Sequence, residues 1–130
     1  MFERIDHVGI VVADIDSALA VYAETFELEL LHREVMAELG LELALVQVGE
    51  SRVELLARTS EESVLGDFQP GMHHVAYRVA DIDAALQRLR ERDVELIDES
   101  PRGGVLDSLI AFVHPHATGG VLTELVQAAA

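Results

Sequence analysis

The chain of 130 residues contains no cysteine, no tryptophan and no lysine, so all nine of its basic residues are arginines. The absence of cysteine excludes a disulfide framework, a thiolate metal site and a cysteine nucleophile. No apolar run reaches the roughly 18 residues that a membrane-spanning helix needs, and the first residues, MFERID, do not form a signal-peptide pattern. We therefore expect a cytoplasmic protein with no membrane partner.

The charge of the chain narrows the classes of partner. The sequence has 24 acidic and 9 basic residues, a formal net charge of −15 and a pI of about 4.5. Such a field repels a phosphate backbone, so we expect no nucleic-acid partner. Half of the residues are hydrophobic and the mean hydropathy is +0.25, which favours a folded chain over a disordered acidic one. The length fits one domain or two fused half-size modules.

An internal repeat organises the sequence. HVGIVVADIDSALAVY, residues 7–22, aligns without gaps on HVAYRVADIDAALQRL, residues 74–89, with nine identities in sixteen positions. A second similarity closes each half, because VELLA at 53–57 matches TELVQ at 123–127. A repeat of this kind indicates two copies of one supersecondary unit.

Each half has the pattern of a βαβββ unit. Alternating and β-branched residues predict eight strands, at 5–12, 27–34, 42–48, 51–57, 73–79, 94–98, 109–113 and 121–127. Asp14 is placed to cap a helix that continues to Tyr22, and a second helix is predicted at 82–92. Gly49-Glu50 fits a two-residue hairpin turn. Residues 58–71 are polar and predict a linker with one helical turn.

The repeat also selects four side chains with metal-binding chemistry. His7 is equivalent to His74, and Glu54 is equivalent to Glu124, each within a largely apolar strand. Burying a carboxylate alone is costly, and a bound metal is one remedy. If an approximate two-fold relates the halves, the two imidazoles and two carboxylates surround one centre and neutralise a divalent ion. Taken singly, a strand histidine is more often structural, and a strand glutamate often faces water.

The remaining histidines are weaker candidates. We expect His73 to be either a polar residue of the core or a neighbour of the metal ligands, and His32 to lie at a surface or edge. His114 and His116 flank Pro115 after a strand, where a turn is the common role.

At these residues the sequence resembles the vicinal oxygen chelate superfamily (glyoxalase, bleomycin resistance and dioxygenase proteins) and, within it, the methylmalonyl-CoA epimerases. The resemblance runs through nearly the whole chain, in RIDHVGIVVADID, LLHREV, LVQVGESRVELL, GMHHVAYRVADIDAAL, VELIDESPR and FVHPHATGGVLTELVQ. It implies an α+β fold in which two tandem βαβββ modules form a curved mixed sheet with a metal cleft. We expect one domain over 1–130, with module 1 at about 1–57, a linker at 58–71 and module 2 at about 72–130.

The resemblance also implies an isomerase of the racemase and epimerase class. Such an enzyme removes the proton between a thioester and a carboxylate of methylmalonyl-CoA, or of a similar acyl-CoA, and returns it to the other face. A divalent metal stabilises the enediolate. The ligands implied are His7, Glu54, His74 and Glu124, with cobalt favoured and manganese, nickel or zinc as alternatives. Glu124 is implied as one catalytic base, and a homodimer as the assembly.

The second base is a departure from the family pattern. Counting from Gly40 places it at Leu43, with Glu42 adjacent as a weak catalytic candidate. A two-residue turn at Gly49-Glu50 would pair Leu45 with Glu54 and put Glu42 on the opposite face. A slip of one residue would reverse this, so the second base stays unassigned.

Three other functions fit the same scaffold. The two-histidine, two-glutamate set also suits a glyoxalase I-like enzyme acting on a thiol hemiacetal. A non-catalytic small-molecule-binding member of the superfamily is a further alternative, and an extradiol dioxygenase is less favoured because it expects three protein ligands. The loops around PRGGVLDSL and His116 depart from the epimerase pattern. The carrier of the substrate, coenzyme A or another thiol, is therefore left open.

Overall fold

The computed structural model describes residues 1–130 and contains two compact units. The first unit is His7–His73, and the second unit combines Met1–Asp6 with His74–Ala130. Each unit contains one copy of the sequence repeat.

The first unit is a mixed sheet with one short helix. Its elements are β1 (Arg4–Val11, of which His7–Val11 belong to this unit), α1 (Ile15–Leu19), β2 (Glu29–Met36), β3 (Leu41–Val48) and β4 (Ser51–Arg58). The strand order is β2-β3-β4-β1, with β1 parallel to β4 and the other pairs antiparallel. The strands predicted for this half are confirmed within a few residues.

The helix of the first unit is shorter than its sequence pattern predicts. Asp14 caps it as expected, since its Oδ1 accepts a hydrogen bond of 2.7 Å from the Ser17 amide. The regular α-helix ends at Leu19 and continues as a π-helical turn over Ala20–Thr25. Helix and sheet pack together through a small apolar core of Ile15, Ala18, Ala44, Leu55 and Ala57.

The second unit repeats this arrangement with a longer helix. Its elements are β5 (Gly71–Arg78, from His74 onward in this unit), α2 (Ile82–Glu91), β6 (Arg102–Gly103), β7 (Leu109–Val113) and β8 (Thr123–Gln127), with strand order β5-β8-β7-β6. Asp81 caps α2 through the Ala84 amide at 3.1 Å. The core beneath the helix contains Val79, Ile82, Ala85, Leu86, Ala111, Val113 and Leu125. No helix of the chain is long and apolar enough to cross a bilayer.

The prediction of a strand at 94–98 is wrong. Only Leu96 makes a bridge, to Val113. The amides of Ile97 and Asp98 both donate to the Phe112 carbonyl, at 3.0 and 3.2 Å. The Asp98 side chain, and not a backbone carbonyl, accepts from the Phe112 amide at 2.8 Å. This side chain interrupts the ladder, and the edge strand β6 forms instead at Arg102–Gly103.

The linker at 58–71 contains consecutive turns and no helix. Arg58 holds it, because its guanidinium donates to the carbonyls of Gly66 and Phe68. Ser63 and Leu65 are buried, so the linker packs against the body of the first unit.

Candidate functional site

The first unit holds one buried histidine–glutamate pair. In the parallel pairing of β1 and β4, Gly9 is the partner of Glu54. His7 lies two residues before Gly9, so its side chain is on the same side of the sheet as that of Glu54. The His7 Nε2 and Glu54 Oε1 atoms are 3.8 Å apart, and the two side chains are 8% and 11% exposed. The equivalent residues chosen from the repeat therefore meet within this unit.

The neighbours of this pair are of two kinds: two leucines of β3 on the Glu54 side, and Arg52 of β4, which pairs with His7 and with Gln47. Leu45 pairs with Glu54 and Leu43 pairs with Leu56, which is the register expected from a two-residue turn at Gly49-Glu50. We call the side of the sheet that carries these residues the Glu54 face. Leu43 is 2% exposed, so an aliphatic side chain fills the position two residues along β3 from Leu45.

Glu42 lies on the opposite, helix-covered side of β3. Its partner on β4 is Ala57, a member of the core beneath α1. The Glu42 carboxylate accepts a hydrogen bond of 2.9 Å from Arg33 Nε, and Arg33 Nη2 is 2.9 Å from Asp16 Oδ1. Glu42 and then Asp16 raise the pKa of the Arg33 guanidinium. The structure therefore does not bring the weak candidate Glu42 to the Glu54 face.

The second unit holds the equivalent pair. Ala76 of β5 is the partner of Glu124 on β8, and His74 lies two residues earlier on the same side. The His74 Nε2 and Glu124 Oε1 atoms are 3.2 Å apart, with side chains 3% and 6% exposed. Phe112 of β7 is the partner of Glu124. Its ring meets the His74 ring edge-on, with centroids 5.8 Å apart. The histidine–glutamate distance is shorter here than in the first unit, and the two side chains are less exposed.

Two arginines, Arg78 and Arg102, lie on the same side of this sheet as His74 and Glu124. Arg78, two residues after Ala76, donates to Asp6 Oδ1 from Nε at 2.8 Å and from Nη2 at 2.5 Å. Arg102 lies over the Phe112 ring, 5.4 Å from its centroid, and its Nε is 3.3 Å from Asp98 Oδ1. Strand alternation from His74 to Arg78 was the available signal for Arg78.

The chemistry of each histidine–glutamate pair suits a divalent metal ion. His7, Glu54, His74 and Glu124 are all buried, at 8% exposure or less. Buried carboxylates are usually paired or coordinate a metal, and two of them balance the charge of a divalent ion. His7, Glu54 and His74 are among the side chains that could hold a metal ion.

The weaker histidine candidates have local partners. The His73 ring packs edge-on against Phe68, with centroids 4.7 Å apart. His32 Nε2 is 2.9 Å from Glu34 Oε1 on the exposed strand β2. His32 lies on an edge strand, as expected, whereas His73 is only half-buried and lies outside the core.

Comparison with known proteins identifies the family. Residues 6–112 match the Glyoxalase/Bleomycin resistance protein/Dioxygenase superfamily. This chain belongs to that superfamily. Its vicinal oxygen chelate fold, predicted from the repeat and the resemblance, is confirmed.

Several similar members of the superfamily are named epimerases. A methylmalonyl-CoA epimerase from Mycobacterium tuberculosis is 39% identical, with a TM-score of 0.91 over 99% of this chain and 90% of that chain. A methylmalonyl-CoA epimerase in complex with methylmalonyl-CoA and NH4+ is 37% identical, with a TM-score of 0.91 over 100% and 97%. An ethylmalonyl-CoA/methylmalonyl-CoA epimerase of Cereibacter sphaeroides is 31% identical over 98% of this chain and 99% of its own length. The prediction of an epimerase-like enzyme is confirmed.

Proposed function

We propose that this chain epimerises methylmalonyl-CoA or a similar acyl-CoA. The observation that carries the proposal is the pair of buried histidine–glutamate contacts, His7 with Glu54 and His74 with Glu124, at positions that the repeat makes equivalent. The similar epimerase that binds methylmalonyl-CoA supports this class of substrate. The acidic proton of such a substrate lies between a thioester and a carboxylate.

The proposal assigns all four side chains to one divalent ion, with cobalt favoured over manganese, nickel or zinc. When bound, the ion supplies Lewis-acid stabilisation of the negative charge that develops on the substrate. The imidazoles of His7 and His74 would bind it through Nε2, the nitrogen that faces each glutamate. The apolar neighbours Leu45 and Phe112 exclude water from the two carboxylates.

We assign Glu124 as the base that removes the proton from the reacting carbon. Its side chain is 6% exposed and its partner on β7 is Phe112, so few waters compete for the proton. Returning the proton to the other face needs a second donor. Leu43 and Leu45 offer none on the Glu54 face, and Glu42 is turned away from it. The second donor is left unassigned.

Deuterium exchange tests the proposal directly. The metal-loaded protein is incubated with methylmalonyl-CoA in heavy water, and deuterium at the carbon between the two carbonyl groups is measured by mass spectrometry. We expect incorporation far above the buffer rate and a loss of about 10²- to 10⁴-fold in Glu124→Gln, as for removal of a general base. Glu34→Gln is the matched control, because Glu34 also contacts a histidine but on the exposed strand β2. Exchange at the buffer rate would overturn the proposal.

A glyoxalase I-like reaction is the second candidate. The composition of the donor set, two histidines and two glutamates, favours it, as does the leucine at position 43 in place of a second base. Turnover of a glutathione hemithioacetal without exchange on the acyl-CoA would select this function. Ligand binding without turnover of either compound would indicate a binding protein instead.

We further propose a cytoplasmic homodimer. The resemblance to the epimerases supports the assembly, and the sequence pattern supports the compartment. Light scattering on the metal-loaded protein at several concentrations tests the dimer, and a mass of about 14 kDa at every concentration would refute it.

A further inference from the structure

A second set of metal donors lies just beyond the end of β7. Glu95, His114 and His116 have donor atoms that all lie within 4.8 Å of one another. The His114 Nε2 atom is 3.6 Å from Glu95 Oε2, and the His116 Nδ1 atom is 3.6 Å from Glu95 Oε1. The two imidazole rings have centroids 4.2 Å apart. None of these residues takes part in the proposed epimerase site.

The backbone holds the three residues together before any ligand binds. The His114 amide donates to the Glu95 carbonyl at 3.0 Å. Pro115 begins a tight 3₁₀ turn over Pro115–Thr118, and the Ala117 amide closes it on the His114 carbonyl at 3.0 Å. This turn sets the spacing of the two histidines. The backbone part of the ordering cost of assembling three donors is therefore met by the fold.

We propose that Glu95, His114 and His116 bind a second divalent transition-metal ion, of the type represented by Zn²⁺. Two imidazoles and one carboxylate suit zinc, copper or nickel better than calcium or magnesium. Glu95 and His116 are exposed, at 57% and 79% of their side chains, so water completes the coordination. The net charge of −15 also attracts cations to the surface.

Binding would change one hydrogen bond in a way that can be observed. The His116 amide donates to His114 Nδ1 at 3.1 Å, so the neutral His114 ring carries its proton on Nε2. Nε2 is also the atom that faces Glu95. Coordination through Nε2 moves the ring proton to Nδ1, and the His116 amide then loses its acceptor. Metal binding at this site must therefore switch the His114 tautomer and perturb the His116 amide.

Zinc titration of the whole protein tests the proposal. Isothermal titration with Zn²⁺ at pH 7.5 should give one more equivalent for the parent protein than for His116→Ala or Glu95→Gln. His32→Ala is the matched control, because His32 also pairs with a glutamate but has no third donor within the same set, and its stoichiometry should equal that of the parent. Identical isotherms for parent, His116→Ala and Glu95→Gln would overturn the proposal.

Nuclear magnetic resonance of the parent protein reports metal binding at His114 and His116 directly, without a substitution. Nitrogen-15 spectra should show the His114 proton moving from Nε2 to Nδ1, with a shift of the His116 amide, as Zn²⁺ is added. The absence of both changes at saturating Zn²⁺ would refute binding here. His74→Ala should leave these shifts intact while reducing binding at the proposed epimerase site, so failure of one site is distinguished from failure of the other.

Discussion

At Gly40, the addition of a single methyl group should lower the free energy of unfolding by an amount that follows from the contacts in the structure. It follows a 3₁₀ turn at Ala37–Leu39, directly precedes β3 and has a left-handed φ of +62°. A Cβ added there would lie 2.6 Å from Ser60 Oγ and 2.8 Å from Ser63 Cα. The Ser60 hydroxyl can rotate away, but the Ser63 backbone cannot move freely. The Thr59 amide donates to the Gly40 carbonyl at 2.9 Å and the Val64 amide to the Leu39 carbonyl at 3.0 Å.

Gly49 provides the matched control for Gly40. It has nearly the same φ, +59°, and an added Cβ would meet nothing within 4 Å. Both alanine variants incur the left-handed penalty of about 1–2 kcal/mol, offset by about 0.4–1 kcal/mol from the stiffer unfolded chain. Only Gly40→Ala adds the overpacking cost of about 1–3 kcal/mol. We expect the free energy of unfolding to fall by about 2–4 kcal/mol in Gly40→Ala and about 1 kcal/mol in Gly49→Ala.

Urea denaturation followed by circular dichroism measures both variants under one set of conditions. The slope of the free energy against urea should be unchanged, because the surface exposed on unfolding is the same. Equal losses in the two variants would refute the reasoning, since they would show that the Ser63 backbone yields to the methyl group at no cost. Gly40 leads into the strand that carries Leu43, so we also expect Gly40→Ala to disturb the Glu54 face.

Three further variants test separate contacts. Arg78→Met removes the guanidinium from buried Asp6 and should cost about 3–5 kcal/mol in urea denaturation, more than the double variant with Asp6→Asn. The hydrogen bond from the Ser17 amide lowers the pKa of the Asp14 carboxyl. The ionised Asp14 cap therefore stabilises the folded state fully above the usual carboxyl pKa, and this stabilisation is lost as the pH falls through the lowered pKa. Asp14→Asn should abolish that part of the pH dependence of thermal unfolding. Leu43→Glu adds a carboxylate to the Glu54 face and should raise the deuterium-exchange rate above that of Leu43→Gln; equal rates would indicate that this position does not meet substrate.

Much of the first unit could be predicted from local sequence. The turn at Gly49-Glu50 fixes the register of β3 on β4, so the pairing of Leu45 with Glu54 followed from a single dipeptide. The end of α1 could not be predicted in the same way. The Phe26 amide reaches back to the Val21 carbonyl at 2.8 Å and so closes a wider turn. Nothing in the spacing of apolar residues distinguishes this turn from a regular one.

The strand predicted at 94–98 shows why alternation alone is insufficient. Val94 and Leu96 lie on either side of the polar Glu95, and both pack against the core beneath α2. The ladder is interrupted nonetheless, because the Asp98 carboxylate takes the Phe112 amide that a strand carbonyl would otherwise accept. A side chain that replaces a backbone acceptor leaves the apolar pattern unchanged. The apolar pattern therefore could not predict the interruption of the ladder, although it correctly predicted that Val94 and Leu96 pack against the core.

The repeat predicts that the two histidine–glutamate pairs are equivalent, but their distances and neighbours differ. Glu54 pairs with Leu45 and lies 3.8 Å from its histidine, whereas Glu124 pairs with Phe112 and lies 3.2 Å from its histidine. A flat aromatic ring beside Glu124 can pack against both the His74 imidazole and a planar substrate intermediate, which an aliphatic chain does less well. The two histidine–glutamate pairs therefore have different neighbours. That difference supports our proposal that Glu124 transfers the proton as well as binding the metal ion, whereas Glu54 serves only as a ligand.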